Sequence, residues 1–241
     1  MFKTFLRPIK MEWVLYFLIA AIPLGLGRFF ALDGGLWTWF AVLFSGLVFV
    51  IAGRHWSALH ALDVPARSWI KDALGMSVLW SAVMAVIATV AGVLMQRNSP
   101  YYAYYDWFLN TSGPVEHIDT NGDPYVLDDA GIQTTSLLWT LLITFAVFLV
   151  FVIAGLAIGM SVRYWPQLTT VAVAILLGLI VLAAISLYLS YLASMRAIEQ
   201  EWFIPVTLES WQRFAMVLAV AGIPMLASAW AIRRSLTHPW P

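Results

Sequence analysis

The stretch "SLLWTLLITFAVFLVFVIAGLAIGMSV", Ser136 to Val162, contains no charged side chain. A hydrocarbon layer about 30 Å thick is crossed by about 20 helical residues, so this run is long enough to span it. It must do so as a helix, because lipid offers backbone N–H and C=O groups no other partner. The rest of the chain agrees with this reading. Hydrophobic residues make up 62% and charged residues 11%, with a mean hydropathy of +0.84, against roughly 45–50% and about 25% in ordinary soluble domains. So few charges cannot cover a water-facing surface, and the chain is an integral membrane protein.

Working outward from this run predicts an all-α integral membrane protein with six transmembrane helices, at 13–30, 36–53, 73–95, 136–162, 168–195 and 214–232. The first two are separated by "ALDGG", whose Asp33, Gly34 and Gly35 supply turn chemistry, which predicts a tight antiparallel hairpin. Arg163, Trp165 and Pro166 end the Ser136 run with a short turn. No internal repeat or low-complexity linker divides the chain, so residues 1–241 read as a single transmembrane domain.

Orientation follows from the lysines and arginines. With both termini cytoplasmic, Lys3, Arg7, Lys10, Arg54, Arg67, Lys71, Arg163, Arg233 and Arg234 fall inside, while Arg28, Arg97, Arg196 and Arg213 fall outside. Most acids, among them Asp106, Glu116, Asp119 and Asp123, then lie on the outer face, so the net charge of zero conceals a strong asymmetry. The first span, Trp13 to Phe30, exceeds a signal-peptide core and lacks a small-residue cleavage site, so it is expected to remain. The absence of cysteine excludes disulfides, thiolate metal sites and thiol catalysis.

Between spans two and three lies "HALDVPARSWIKDAL", His60 to Leu74, a charged, proline-bearing segment on the cytoplasmic side. It reads as one helical run before the Asp63-Val64-Pro65 bend and another after it, with Pro65 suited to the first turn of the second. Trp56, Leu59, Leu62, Trp69 and Ile70 give it apolar faces. Helix pattern alone leaves two readings open, an amphipathic helix resting at the membrane interface and a docking element for a protein partner.

Three motifs resemble the permease subunits of type 2 ABC exporters. "LDVPARSWIKDALG" is similar to the family's loop after the second span, "AGLAIGMSVRYW" to its small-residue-rich fourth span ending in a cytoplasmic Arg and aromatic, and "MFKTFLRPIKMEW" to its N-terminal amphipathic elbow helix. "SMRAIEQEWFIPVTLESWQRF" occupies the place of its external re-entrant element, while the long external loop from Arg97 to Thr135 departs from the short turn of many members. The resemblance implies that residues 55–72 hold a coupling helix, with Leu62, Asp63, Val64, Pro65, Ala66 and Arg67 as its contacts to a separate ATPase subunit. It also implies a second permease chain, identical or paralogous, ATP and Mg on the ATPase, and a multi-pass location in a bacterial cytoplasmic membrane. The chain has no G-x-x-x-x-G-K-[ST] phosphate loop, so the ATPase must be a separate polypeptide.

The residues exclude other chemistries. Neither H-E-x-x-H nor G-x-S-x-G occurs, and no catalytic site or cofactor is expected in this chain. Nothing in it points to nucleic acid; the lipid bilayer is the expected surroundings. Glu12, Arg28 and Asp72 fall near span ends, where long side chains snorkel to the headgroups, so an ion-coupled transporter's buried carboxylate is missing and an external motor is favoured. His55, His60, His117 and His238 all lie outside the spans, against a haem-binding redox anchor. A membrane regulatory or assembly protein that transports nothing stays open as an alternative. Small residues at Gly46, Gly75, Ala154, Gly155, Ala157, Gly159 and Ser161 permit close helix approach, within one subunit or between two. "YYAYYDWF", Tyr101 to Phe108, is expected to cap the bundle or form an interfacial belt. "DTNGDPYVLDD" offers Asp119, Asn121 and Asp123 to a cation but misplaces the glycine and lacks the final acid of a calcium loop, which favours an Asx turn. Asn110 fits a glycosylation sequon.

Overall fold

A computed structural model describes residues 3–6, 10–30, 34–98, 102–111, 131–162, 166–167 and 210–237. In chain order its helices are α1 (Lys3–Leu6), α2 (Lys10–Phe30), α3 (Gly34–Arg54), α4 (Trp56–Ala61), α5 (Ala66–Asn98), α6 (Thr134–Ser161) and α7 (Ser210–Thr237), with a 3-10 turn at Tyr102–Tyr105 between α5 and α6. No strand occurs among the described residues. Five of these helices, α2, α3, α5, α6 and α7, are long and apolar enough to cross a membrane, as an all-helical multi-pass protein requires. The expected span at 168–195 and the external element after it up to residue 209 lie outside the described residues, as do Glu116, His117, Asp119, Asn121, Asp123, Arg163 and His238, while the last five residues of that element, 210–214, begin α7.

The predicted span 73–95 is only the middle of α5. That helix runs unbroken for 33 residues, roughly 50 Å at about 1.5 Å per residue, and outreaches a hydrocarbon layer of about 30 Å. The charged stretch after the Pro65 bend is therefore the first two turns of a spanning rod, not a separate helix. Pro65, just before it, accepts the first backbone bonds from Ser68 N and Trp69 N, both at 3.1 Å. Pro23 and Pro224 lie inside α2 and α7, which continue through them.

Packing inverts the pattern of a soluble core. In α2, Val14, Leu15, Leu18, Ile22, Leu26 and Phe29 are exposed to the surroundings, while Trp13, Ala20 and Leu24 face inward. In α3, Leu36, Phe40, Leu47 and Ile51 face outward, and Thr38, Ala41, Ser45, Gly46 and Gly53 are buried. Lipid tails are as apolar as leucine, so helices associate through close contact rather than through escape from water. α3 and α6 show the consequence: a Cβ on Gly155 would strike the Gly46 carbonyl, and one on Gly159 would strike the Val50 carbonyl. The small residues thus join two spans of the same chain. α3 also packs on α2, and α6 on α5 and α7. The buried hydroxyls of Ser45, Ser77, Thr140 and Ser161 each bond the carbonyl four residues earlier in their own helix, and Ser45 Oγ also accepts from Trp80 Nε1 at 2.9 Å.

At the end that carries Arg54, aromatic rings form a floor. Phe5 of α1 lies 5.6 Å from Trp13 and from Trp69 and 5.9 Å from Phe49, between centroids. Trp13 also meets Trp80 edge-on, and Trp56 of α4 lies 4.8 Å from Trp69. The described part of the N-terminal segment before α2 is thus one helical turn pinned inward by a buried ring.

Candidate functional site

Two features stand out at opposite ends of the bundle. The first is polar and buried. Arg28, in the last turn of α2, does not snorkel; its side chain and that of Asp106 are each 1% exposed and joined at 3.0 Å between Nη2 and Oδ2. Every nitrogen of the guanidinium is engaged. Nε donates to Tyr102 Oη at 2.8 Å. Nη1 donates to the carbonyls of Leu24 at 3.0 Å and Ala88 at 3.1 Å, and Nη2 to Thr38 Oγ1 at 2.6 Å and the Gly34 carbonyl at 3.4 Å. The Tyr102 hydroxyl in turn donates to Asp106 Oδ2 at 3.0 Å. Burial, and then the Asp106 charge, push the Tyr102 phenol well above its ordinary range, with Arg28 opposing in part, so it stays a neutral donor.

The local sequence permits this arrangement. Gly34 opens α3 without a side chain, and a Cβ there would collide with the Tyr102 hydroxyl and the Asp106 carboxylate. The carboxylate consequently sits against the start of α3 while the guanidinium lies at the end of α2, which matches both helix dipoles. Around the pair, the segment from Tyr102 to Asn110 is folded into the bundle end: Tyr102, Asp106, Phe108, Leu109 and Asn110 are buried. Spans hold it by side chains. Gln96 Oε1 of α5 accepts from Ala103 N at 2.8 Å, Thr140 Oγ1 of α6 accepts from Asn110 N at 2.9 Å, and Arg213 of α7 donates to the carbonyls of Trp107 at 3.1 Å and Leu109 at 3.3 Å. The aromatic stretch is thus a cap packed on the bundle. Asn110, whose Nδ2 donates to the Phe108 carbonyl at 3.2 Å, is enclosed in it, which closes the sequon to a glycan.

The second feature is the turn at the opposite end, where the structure places the six residues expected to contact a partner. α4 ends in a reversal in which Asp63 N donates to the His60 carbonyl and Val64 N to the Leu59 carbonyl, both at 3.1 Å. This is a Schellman cap with Asp63 at the left-handed position, at φ 57°. Leu62, Asp63, Pro65 and Arg67 are exposed, Leu62 by 74%, whereas Val64 and Ala66 are half-buried and pack against the core. Trp56 and Trp69 are buried beneath the turn, and His60 stacks on Trp56 at 5.1 Å. His55 and His60 both belong to this end, and among the described residues no three His, Asp or Glu side chains are grouped to hold a metal.

Sequence reasoning found the turn and missed the ion pair. Arg28 at a span end is the pattern of a snorkelling residue, and Asp106 is one acid in an aromatic loop. No local signal marked the pair, because the burial of Leu24, one turn before Arg28 on the same face of α2, is itself decided by the fold.

No family model, curated protein or solved structure matches this chain.

Proposed function

We propose that the chain is the transmembrane permease subunit of an ATP-driven exporter of the type 2 ABC kind. It forms half of the pathway with a second permease chain and is coupled through residues 55–72 to a separate ATPase on the face of a bacterial cytoplasmic membrane. The observation that carries this reading is the mounting of the Leu62–Arg67 turn. An apolar side chain, Leu62, stands 74% exposed at its tip, flanked by the exposed charges of Asp63 and Arg67, an apolar centre with a polar rim of the kind that protein interfaces use. Its backbone is fixed by the Schellman bonds and by the Pro65 carbonyl, so little ordering entropy would be lost on docking.

Leverage supports the same reading. The turn joins α3 to the 33-residue α5 and rests on the aromatic floor, so a displacement at Leu62 is passed to two spans together. ATP binding on the partner drives such a change only by binding one conformation more tightly than the other. The permease residues supply the docking surface and the rigid connection, and the ATPase supplies the hydrolysis.

The test is purification of the tagged protein from its host in mild detergent, with an ATPase assay, comparing wild type with Leu62→Glu and Arg67→Glu. Both positions are exposed, so neither change disturbs the core, whereas Val64 packs inward and is a poorer probe. Co-purification of an ATP-hydrolysing subunit that both substitutions release is the expected result. Without an ATPase, or with binding indifferent to both changes, the turn rests on the membrane and the non-transporting reading replaces this one.

A further inference from the structure

We infer that the segment from Tyr102 to Asn110 is a movable plug in the bundle end, latched by the buried Arg28–Asp106 pair, which opens and closes as one unit. The inference stands apart from any motor at the opposite end of the molecule.

The way the segment is held points to a latch. Outside its 3-10 turn, the described backbone bond within it is Leu109 N to the Asp106 carbonyl at 3.0 Å; side chains of α2, α5, α6 and α7 supply its hydrogen bonds to the spans. One of them, from Arg28, meets a carboxylate that also organises the segment itself. Asp106 Oδ2 accepts from Arg28 and Tyr102, and Oδ1 accepts from Phe108 N at 3.1 Å, so the residue that binds the spans also sets the fold of its own loop. Loss of Asp106 from its place therefore undoes several contacts together.

Electrostatics make the opening all-or-none. A buried ion pair adds little net stability over apolar packing because both charges give up their hydration, but one member left buried alone is strongly unfavourable. A partly withdrawn segment would strand Arg28 among the spans without its counter-charge. The fully seated and fully withdrawn states escape that cost, the first by pairing and the second by letting water reach both groups. Gly34, which leaves room for Tyr102 and Asp106 at the start of α3, gives the seated state its space. Leu109 and Tyr102, packed with Met95 and Ile132, are covered when the plug is seated and uncovered when it leaves.

The chain has no cysteine, so single thiols report directly. The full-length protein in lipid nanodiscs, where both faces are accessible, is labelled with a polar maleimide at Leu109→Cys, at Asn98→Cys on the exposed end of α5, and at Ala85→Cys in the buried middle of α5. With the latch intact, Leu109→Cys is expected to react at least about tenfold more slowly than Asn98→Cys, since reaction follows the open fraction. Adding Asp106→Asn or Arg28→Gln should raise the Leu109→Cys rate about tenfold and leave Ala85→Cys protected; Tyr102→Phe should raise it less. An unchanged Leu109→Cys rate in these variants overturns the inference. So does a parallel rise at Ala85→Cys, which would make the pair general glue of the fold. If the charge variants yield no folded protein, Tyr102→Phe decides: labelling as slow as in the unaltered latch also overturns it.

Discussion

At the scale of single residues, the chain places charge and backbone strain where they fix a loop. Asp63 is the described non-glycine residue with positive φ, and its side chain is exposed, so the stability of the turn, as distinct from any docking, depends on it mainly through the left-handed backbone. Asp63→Gly is expected to raise the thermal midpoint of the purified protein, by the equivalent of about 0.5–1 kcal/mol, because glycine meets no Cβ penalty there. Asp63→Val should lower it by at least as much, since β-branched residues tolerate this region worst. A midpoint that falls with glycine would show that the aspartate side chain itself matters to the turn. Arg28 illustrates the opposite case, in which identity is everything: its fork reaches two helical carbonyls, a threonine, a tyrosine and a carboxylate together, which the point charge of lysine cannot do.

At the scale of elements, glycine sets the distance between spans. The α3–α6 seam brings backbone to backbone at Gly46 and Gly155 and at Val50 and Gly159. Gly159→Ala must push the two helices apart and is expected to destabilise the protein by about 1–3 kcal/mol, the range for overpacking. Gly222 in α7 is a matched control, because a Cβ there meets nothing within 4 Å. Gly222→Ala should be neutral or stabilising by up to about 1 kcal/mol, from helix propensity alone. Thermal midpoints measured in one detergent separate the two, and equal effects would refute the seam. The hairpin of α2 and α3 follows the same economy of length, with α2 ending at Phe30 and α3 beginning at Gly34.

Across the whole molecule, both ends are packed with aromatic rings, but only one of them, among the described residues, is also held by a buried ion pair. At the other, a floor of rings links α1, α2, α3, α4 and α5. Trp69 is central to that floor, touching both Phe5 and Trp56. Trp69→Ala should cost about 3–5 kcal/mol, as large buried aromatics do. Because Trp56 and Trp69 share one contact, Trp56→Ala combined with Trp69→Ala should cost less than the sum of the two single changes. Simple additivity in unfolding measurements would mean that the rings act independently and that the floor does not hold the turn as a unit.

The sequence by itself determined the all-helical membrane class and the places of five spans. Charge-free runs such as Ser136 to Val162 admit only helices across lipid, and the described spans end within a few residues of where hydropathy puts them, except that α5 begins at Ala66, where Pro65 and not the last charged residue sets its start. It also identified the exposed turn, because Pro65 and its neighbouring charges are local signals. What hydropathy could not reveal is direction. Leucine facing lipid and leucine facing another helix look alike, so the sequence located Arg28 along the membrane normal without saying that its face turns inward. Its partner lies 78 positions away, in a loop whose aromatic composition suits an interfacial belt equally well. Only the tertiary structure, by bringing α2, α3, α5 and the Tyr102–Asn110 segment to one point, decided that this arginine would exchange its hydration for a carboxylate. The same holds for Gly155 and Gly159: small residues permit close approach anywhere, and the fold chose α3.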